Sequence, residues 1–221
     1  LSVSFLFLGT FSLMAQQDAQ FTQNMFNKLS VNPGSAGHNG GICGTLFTRQ
    51  QWTGFEGNPQ TGFASFHTRL KSKKTRINRT HHGVGLYFEN DVLGYIGTTT
   101  LNLAYAYHFP VGRNVSASVG LFGGIQQFKV DGSQIIAVNY NDPALSNGGG
   151  AIFAPYLTPG IFLNHDDWFA GLSVRQIFRN KWQRVIGVNA RNRFHYALVG
   201  GKRFKLKRDI NAVPSVMLKY V

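Results

Sequence analysis

From Gly41 to Val221 apolar and polar residues alternate in stretch after stretch, the period of two expected of strands with unlike faces. Leu101, Leu103, Tyr105, Tyr107 and Phe109 make one face of the clearest stretch, oily and aromatic, and Asn102, Ala104, Ala106 and His108 make the other. A tilted strand of about 9–11 residues crosses a bilayer, and only closure into a barrel satisfies strand backbones in lipid. No apolar run reaches the roughly 20 residues of a membrane helix. The pattern predicts an all-β fold: a transmembrane antiparallel outer-membrane β-barrel.

Nine strands are expected, at about 41–52, 59–70, 81–90, 95–109, 115–130, 150–164, 168–178, 193–206 and 210–221. Pro155 and Pro159 lack the N–H that a ladder needs, which predicts a bulge in the sixth. The connections 110–114, 165–167 and 207–209 are short and fall at one end; 131–149 and 179–192 are long and fall at the other. That is the asymmetry of inner turns and outer loops in bacterial barrels, with 71–80 and 53–58 as departures. Phe109 and Trp168 then belong to the inner aromatic girdle, Trp52 and Tyr95 to the outer one. Nine is odd, and the last strand has nothing after it to pair with, so the chain is expected to be truncated at its C-terminus.

The start of the chain has a different texture. Residues 1–14 are apolar and lead to a small-residue cleavage pattern at Leu13, Met14 and Ala15, which predicts a partial signal peptide over 1–15 and a precursor that begins earlier. Residues 16–40 form a separate segment before the barrel strands of 41–221. Within it Phe21, Met25, Phe26 and Leu29 share one face of a short helix that ends before Asn32 and Pro33. This segment either plugs the barrel, docks on a periplasmic partner, or covers the lower rim.

Composition and charge narrow the chemistry. Cys43 is solitary, which excludes an intramolecular disulfide. The formal charge is +13, concentrated at Arg69, Lys71, Lys73, Lys74, Arg76 and Arg79 and again at Lys202, Arg203, Lys205, Lys207 and Arg208. In an exported barrel such clusters meet anionic headgroups, lipopolysaccharide or an acidic partner. No stacking platform or groove-entering helix supports nucleic acid. The few carboxylates sit mostly in turns, with Asp166 and Asp167 adjacent as a turn signal. His81 and His82 are neighbours on a strand and point to opposite faces, so they do not share a metal. His67, His108 and His195 read as polar interior filler, since no Ser occupies a strained nucleophile turn. No enzyme, cofactor or metal site is indicated. Two other architectures fit less well: a soluble lipocalin-type barrel, and a passive or selective channel for small solutes. Ala104, Ala106, Gly120 and Gly171 argue for a narrow or plugged interior instead of an open lumen.

Several ordered blocks carry a family resemblance. Asp18, Gln20, Phe21, Gln23, Met25, Phe26 and Asn27 lead into Asn32, Pro33, Gly34, Ser35, Ala36 and Gly37, with Gly34 where alanine is usual. Arg49, Gln51, Trp52 and Gly54 follow the first strand, and His82, Gly83, Gly85, Asn90, Asp91 and Gly94 mark the next hairpin. Tyr105 to His108, then Trp168 to Val174, and finally Pro214, Ser215, Val216, Leu218, Lys219 and Tyr220 complete the series, with Arg175 in place of a common proline. Together these resemble the PorP/SprF family of type IX secretion system membrane proteins of Bacteroidota. The resemblance implies residence in the outer membrane of a Gram-negative bacterium. It also implies a role in secretion or surface attachment of proteins with C-terminal sorting domains, gliding adhesins among them, alongside other type IX secretion components. It singles out Asn32, Pro33, Ala36, Gly37, Arg49, Gln51 and Trp52 as candidate partner-contact or motif positions. Arg49 and Gln51 are expected to face inward if Leu46 faces lipid.

Overall fold

The computed structural model describes residues 27–70, 80–131, 149–178, 194–207 and 210–220. The predicted signal peptide, the apolar face of Phe21, Met25 and Phe26, most of the basic 69–79 loop and the two long connections lie outside these residues.

Among the described residues nine strands form one antiparallel sheet that curls as a half-barrel. They are β1 (Cys43–Gln50), β2 (Gln60–Leu70), β3 (His81–Leu93), β4 (Ile96–Pro110), β5 (Val115–Asp131), β6 (Gly149–His165), β7 (Trp168–Arg175), β8 (His195–Lys202) and, beyond a short two-stranded insertion, β11 (Ser215–Tyr220). Each strand pairs with its neighbour in sequence, except that β8 pairs with β11. The insertion is a ribbon of β9 (Phe204–Lys207) and β10 (Ile210–Ala212). Among the described residues no helix is long and apolar enough to cross a membrane.

The alternation read from β4 decides its faces. Thr100, Asn102, Ala104, Ala106 and His108 are buried on the concave side, whereas Leu101, Leu103, Tyr105 and Tyr107 are exposed on the convex side. In water such an oily convex surface would be a liability; in a bilayer it faces hydrocarbon. Leu86, Phe88, Val119, Leu121, Ile161, Leu172, Tyr196, Leu198, Val216 and Leu218 extend the same exposed surface around the sheet. His81 turns inward and stacks on His108, while its neighbour His82 turns outward to Tyr105 and Tyr107, as the period of two requires.

Three expectations about the strands need correction. β6 has no bulge: its register with β5 is unbroken from Gly149 to His165, with Pro155 opposite Ile125 and Pro159 opposite Leu121. Among the described residues β7 pairs with β6 only over Gly160–Asn164, so neither proline falls within that stretch of ladder. The eighth and ninth strands are each broken. Arg203 donates its N–H to the Asp167 carbonyl at 2.6 Å, and Lys202 donates to the Pro214 carbonyl at 3.1 Å, which separates the ribbon from the main sheet. The seventh strand stops at Arg175, where Gln176 adopts a left-handed φ of 57°.

Phe109 and Trp168 lie at the end of the sheet carrying the short turns 111–114 and 166–167; Trp52 and Tyr95 lie at the opposite end. The β3–β4 connection is a tight turn at Gly94 and Tyr95, a further departure from the pattern of long loops at that end.

Candidate functional site

The concave face is occupied by the chain itself. Asn27 caps a single helical turn, α1 (Lys28–Val31), by accepting the Ser30 N–H at 3.3 Å, and Ser65 of β2 donates to the same Asn27 Oδ1. Asn32 then accepts the Gly34 N–H at 2.8 Å, an Asx turn that starts the 3₁₀ turn Pro33–Ser35. Proline suits that first position because its missing N–H would have had no partner there. Every residue from Leu29 to Gly37 is buried.

A backbone this irregular, packed against a sheet, must find partners for its N–H and C=O groups outside a ladder. Inward side chains of the strands supply them. Ser173 of β7 donates to the Val31 carbonyl at 2.7 Å, Ser118 of β5 to the Gly34 carbonyl at 2.6 Å, and His108 Nε2 of β4 to the Ala36 carbonyl at 2.6 Å. His67 of β2 accepts the Gly37 N–H on Nδ1 at 3.1 Å, which requires that nitrogen to be unprotonated. In return Asn32 donates to the carbonyls of Ile161 and Leu172, a cross-strand pair of β6 and β7, at 2.9 and 3.1 Å. Six neighbouring hydrogen bonds thus tie the segment to strands from β2 to β7.

Room for the segment comes from one cross-strand row of small residues. Gly83, Ala106, Gly120, Gly160, Ser173 and Ala197 stand side by side on six consecutive strands. A Cβ on Gly83 would lie 2.6 Å from the Ala36 carbonyl carbon, one on Gly120 2.5 Å from that of Pro33, and one on Gly160 2.9 Å from Pro33 Cδ. The row is a trough into which backbone packs on backbone. Gly37 leaves it with a φ of 74°, a conformation that glycine adopts without strain.

Apolar packing completes the seat. Leu29 and Ala36 share a buried cluster with Phe63, Tyr87, Ala104, Ala106 and Phe122, and rings step across it from Phe47 to Phe63, Tyr87 and Phe122. The Lys28 ammonium lies 3.8 Å from the centroid of the Phe169 ring. Burial, with a smaller push from Arg203, lowers the Lys28 pKa. Burial likewise holds His38, which donates to the Ser35 carbonyl at 2.7 Å, at a pKa of about 4. Towards the other end the interior turns polar. Tyr87 donates to Glu89, Arg175 to the Tyr156 hydroxyl at 3.0 Å, and Thr61 to Asp91 at 2.5 Å.

The predicted positions divide into two groups. Asn32, Pro33, Ala36 and Gly37 come together in the trough and are consumed by contacts within the chain. Arg49, Gln51 and Trp52 lie at the opposite end: Arg49 is half-buried on the inward side opposite Thr61, and the Gln51 N–H meets the Pro59 carbonyl at 3.0 Å. Trp52 is exposed with a left-handed φ of 50°, rare for a bulky residue and a sign of a constrained turn. His67 and His108 do share the interior, but His195 stands across from Arg175 at the far end of β8. What sequence reasoning missed is the role of His67, His108, Ser118 and Ser173 as partners for irregular backbone. The available signal was a set of hydrogen-bonding side chains at inward positions beside glycines. Among the described residues no cluster of His, Cys, Asp or Glu is arranged to hold a metal ion.

A family model described as type IX secretion system membrane protein PorP/SprF matches residues 13–221. No curated protein and no solved structure matches the chain. With a match over nearly its whole length, and a curled antiparallel sheet whose oily side faces out, the chain belongs to the PorP/SprF family of type IX secretion system membrane proteins.

Proposed function

We propose that this chain is an outer-membrane component of the type IX secretion system that assists secretion and surface attachment of exported proteins bearing C-terminal sorting domains, gliding adhesins among them. It acts as a scaffold: it makes and breaks no covalent bond and uses no cofactor. Residues 16–40 serve as a plug, with Asn32, Pro33, Ala36 and Gly37 holding it in the trough, and 41–221 supply the barrel wall. The outer connections 131–149 and 179–192, with the rim at Arg49, Gln51 and Trp52, contact the client. Lipopolysaccharide surrounds the outer rim, and the inner end meets other secretion components.

One observation carries this reading over a solute channel. The trough on the concave face is filled by the protein's own backbone, held by buried hydrogen bonds from Ser118, Ser173 and His108, which supports an occupied interior over an open lumen. Two measurements test it. Purified full-length protein in a planar bilayer is expected to show no steady conductance, and stable ohmic pores would overturn the scaffold in favour of the channel. Deleting 131–149 is expected to leave membrane insertion intact and release the client from the cell surface; undiminished display would remove the docking role.

A further inference from the structure

The β9–β10 ribbon continues past the point where the barrel's interface should lie. Lys202 is in register with Trp168, an outward-facing tryptophan of the kind that sits at headgroup level. Beyond Lys202 the chain leaves the main sheet at Arg203 and returns at Val213 and Pro214. Phe204, Leu206, Ile210 and Val213 are all exposed on this short ribbon, and Leu206 is 66% exposed. Exposed cations accompany them: Lys205 lies between Phe204 and Leu206, and Lys202 Nζ sits 5.3 Å from the centroid of the Phe204 ring.

We propose that this ribbon is an interfacial anchor, its partner the anionic phospholipid of the leaflet at the end of the barrel where residues 27–42 enter. Three considerations favour lipid over protein. Phe204 and Leu206 lie two and four residues past the level of Trp168, which at about 3.3 Å per residue and a tilt of about 40° is roughly 5–10 Å. The headgroup layer on each side of the hydrocarbon is about 5–8 Å thick, so Phe204 falls within it and Leu206 at its outer edge. The strands that flank the ribbon in sequence also carry exposed apolar side chains, Tyr196 and Leu198 on β8 and Val216 and Leu218 on β11. Finally, lysines beside apolar side chains match phosphate above hydrocarbon: the stem lies on the oily surface while the ammonium reaches the anion.

The inference rests on the barrel reading, and the experiment separates the two. In the full chain carrying Cys43→Ser, a nitroxide is attached at Leu206→Cys or, separately, at Leu103→Cys on the convex face of β4. Each protein is reconstituted in vesicles of phosphatidylcholine alone or with phosphatidylglycerol, and collisions with oxygen and with a nickel chelate are compared. The Leu103 label is expected to be oxygen-rich and closed to nickel in both. The Leu206 label is expected to show interfacial depth, with anionic lipid reducing nickel access by a factor on the order of ten. Lys202→Gln with Lys205→Gln should abolish that lipid dependence. A Leu206 label open to nickel in both vesicles, with Leu103 shielded, overturns the anchor and leaves the barrel standing. Shielding of Leu206 only in native outer membranes assigns the ribbon to a protein and also overturns it. Nickel access at Leu103 sinks the barrel itself.

Discussion

Replacing Gly120 with alanine drives a methyl group into the seated segment. The new Cβ would lie 2.5 Å from the Pro33 carbonyl carbon and 2.6 Å from Gly34 Cα, about 1 Å inside the 3.4–4 Å of ordinary contact. Backbone faces backbone there, so no side chain can rotate away. β5 is held on both sides by β4 and β6, which leaves the segment to lift. Lifting strains the packing by about 1–3 kcal/mol and forfeits the Ser118–Gly34 hydrogen bond, worth about 1 kcal/mol. A total of about 2–4 kcal/mol raises the population of the released segment about 30- to 1,000-fold. Trypsin at low concentration reads that population through cleavage after Lys28, since cutting then follows the opening equilibrium. Gly123→Ala is the control: it lies on the same strand, and a Cβ there meets nothing within 4 Å. Mobility on unheated gels verifies that both variants have folded. Equal cleavage of G120A, G123A and the parent protein would refute the idea that the trough is shaped for this segment.

Two further outcomes are expected. Leu103→Arg places a charge at the middle of β4 on the convex face and should cost about 2–4 kcal/mol in reversible unfolding from lipid, whereas insertion with unchanged stability would contradict a lipid contact there. For His38 the sign follows from burial: its pKa is about 4 when seated and near 6.5 when released, so the released form binds the proton more readily. Its contribution to seating is complete above about pH 6.5 and falls by about 1.4 kcal/mol per pH unit down to about pH 4. His38→Asn should reduce the pH dependence of the trypsin assay between these limits, with His67, whose unprotonated Nδ1 accepts the Gly37 N–H, still contributing; an unaltered slope would show that the His38 imidazole is not a titrating group.

Most of the fold was legible because its signal is local. A period of two names both faces of β4 residue by residue, and the turns between β4 and β5 and between β6 and β7 fall where the alternation stops. The misread features are those that depend on neighbours. Whether Pro155 and Pro159 break β6 depends on how far β7 extends, and the break at Arg203 depends on a carbonyl in the turn between β6 and β7. The interior site shows the same division. The block from Asn32 to Gly37 stands out in the sequence, but its destination does not, because the row that receives it is assembled only by the pairing of six strands. Ser118 and Ser173 read alone are polar residues on an inward face; a backbone carbonyl from the start of the chain gives them their use.

That row also has a consequence for assembly. A slip of one residue in β4 would turn Tyr105 or Tyr107 into the groove, and a slip in β5 would bring in Val119 or Leu121. The stretch made early by the ribosome can therefore come to rest only after β3 through β8 have met in the right alignment. Its seat thus checks the register of the wall, since a misaligned row cannot receive it.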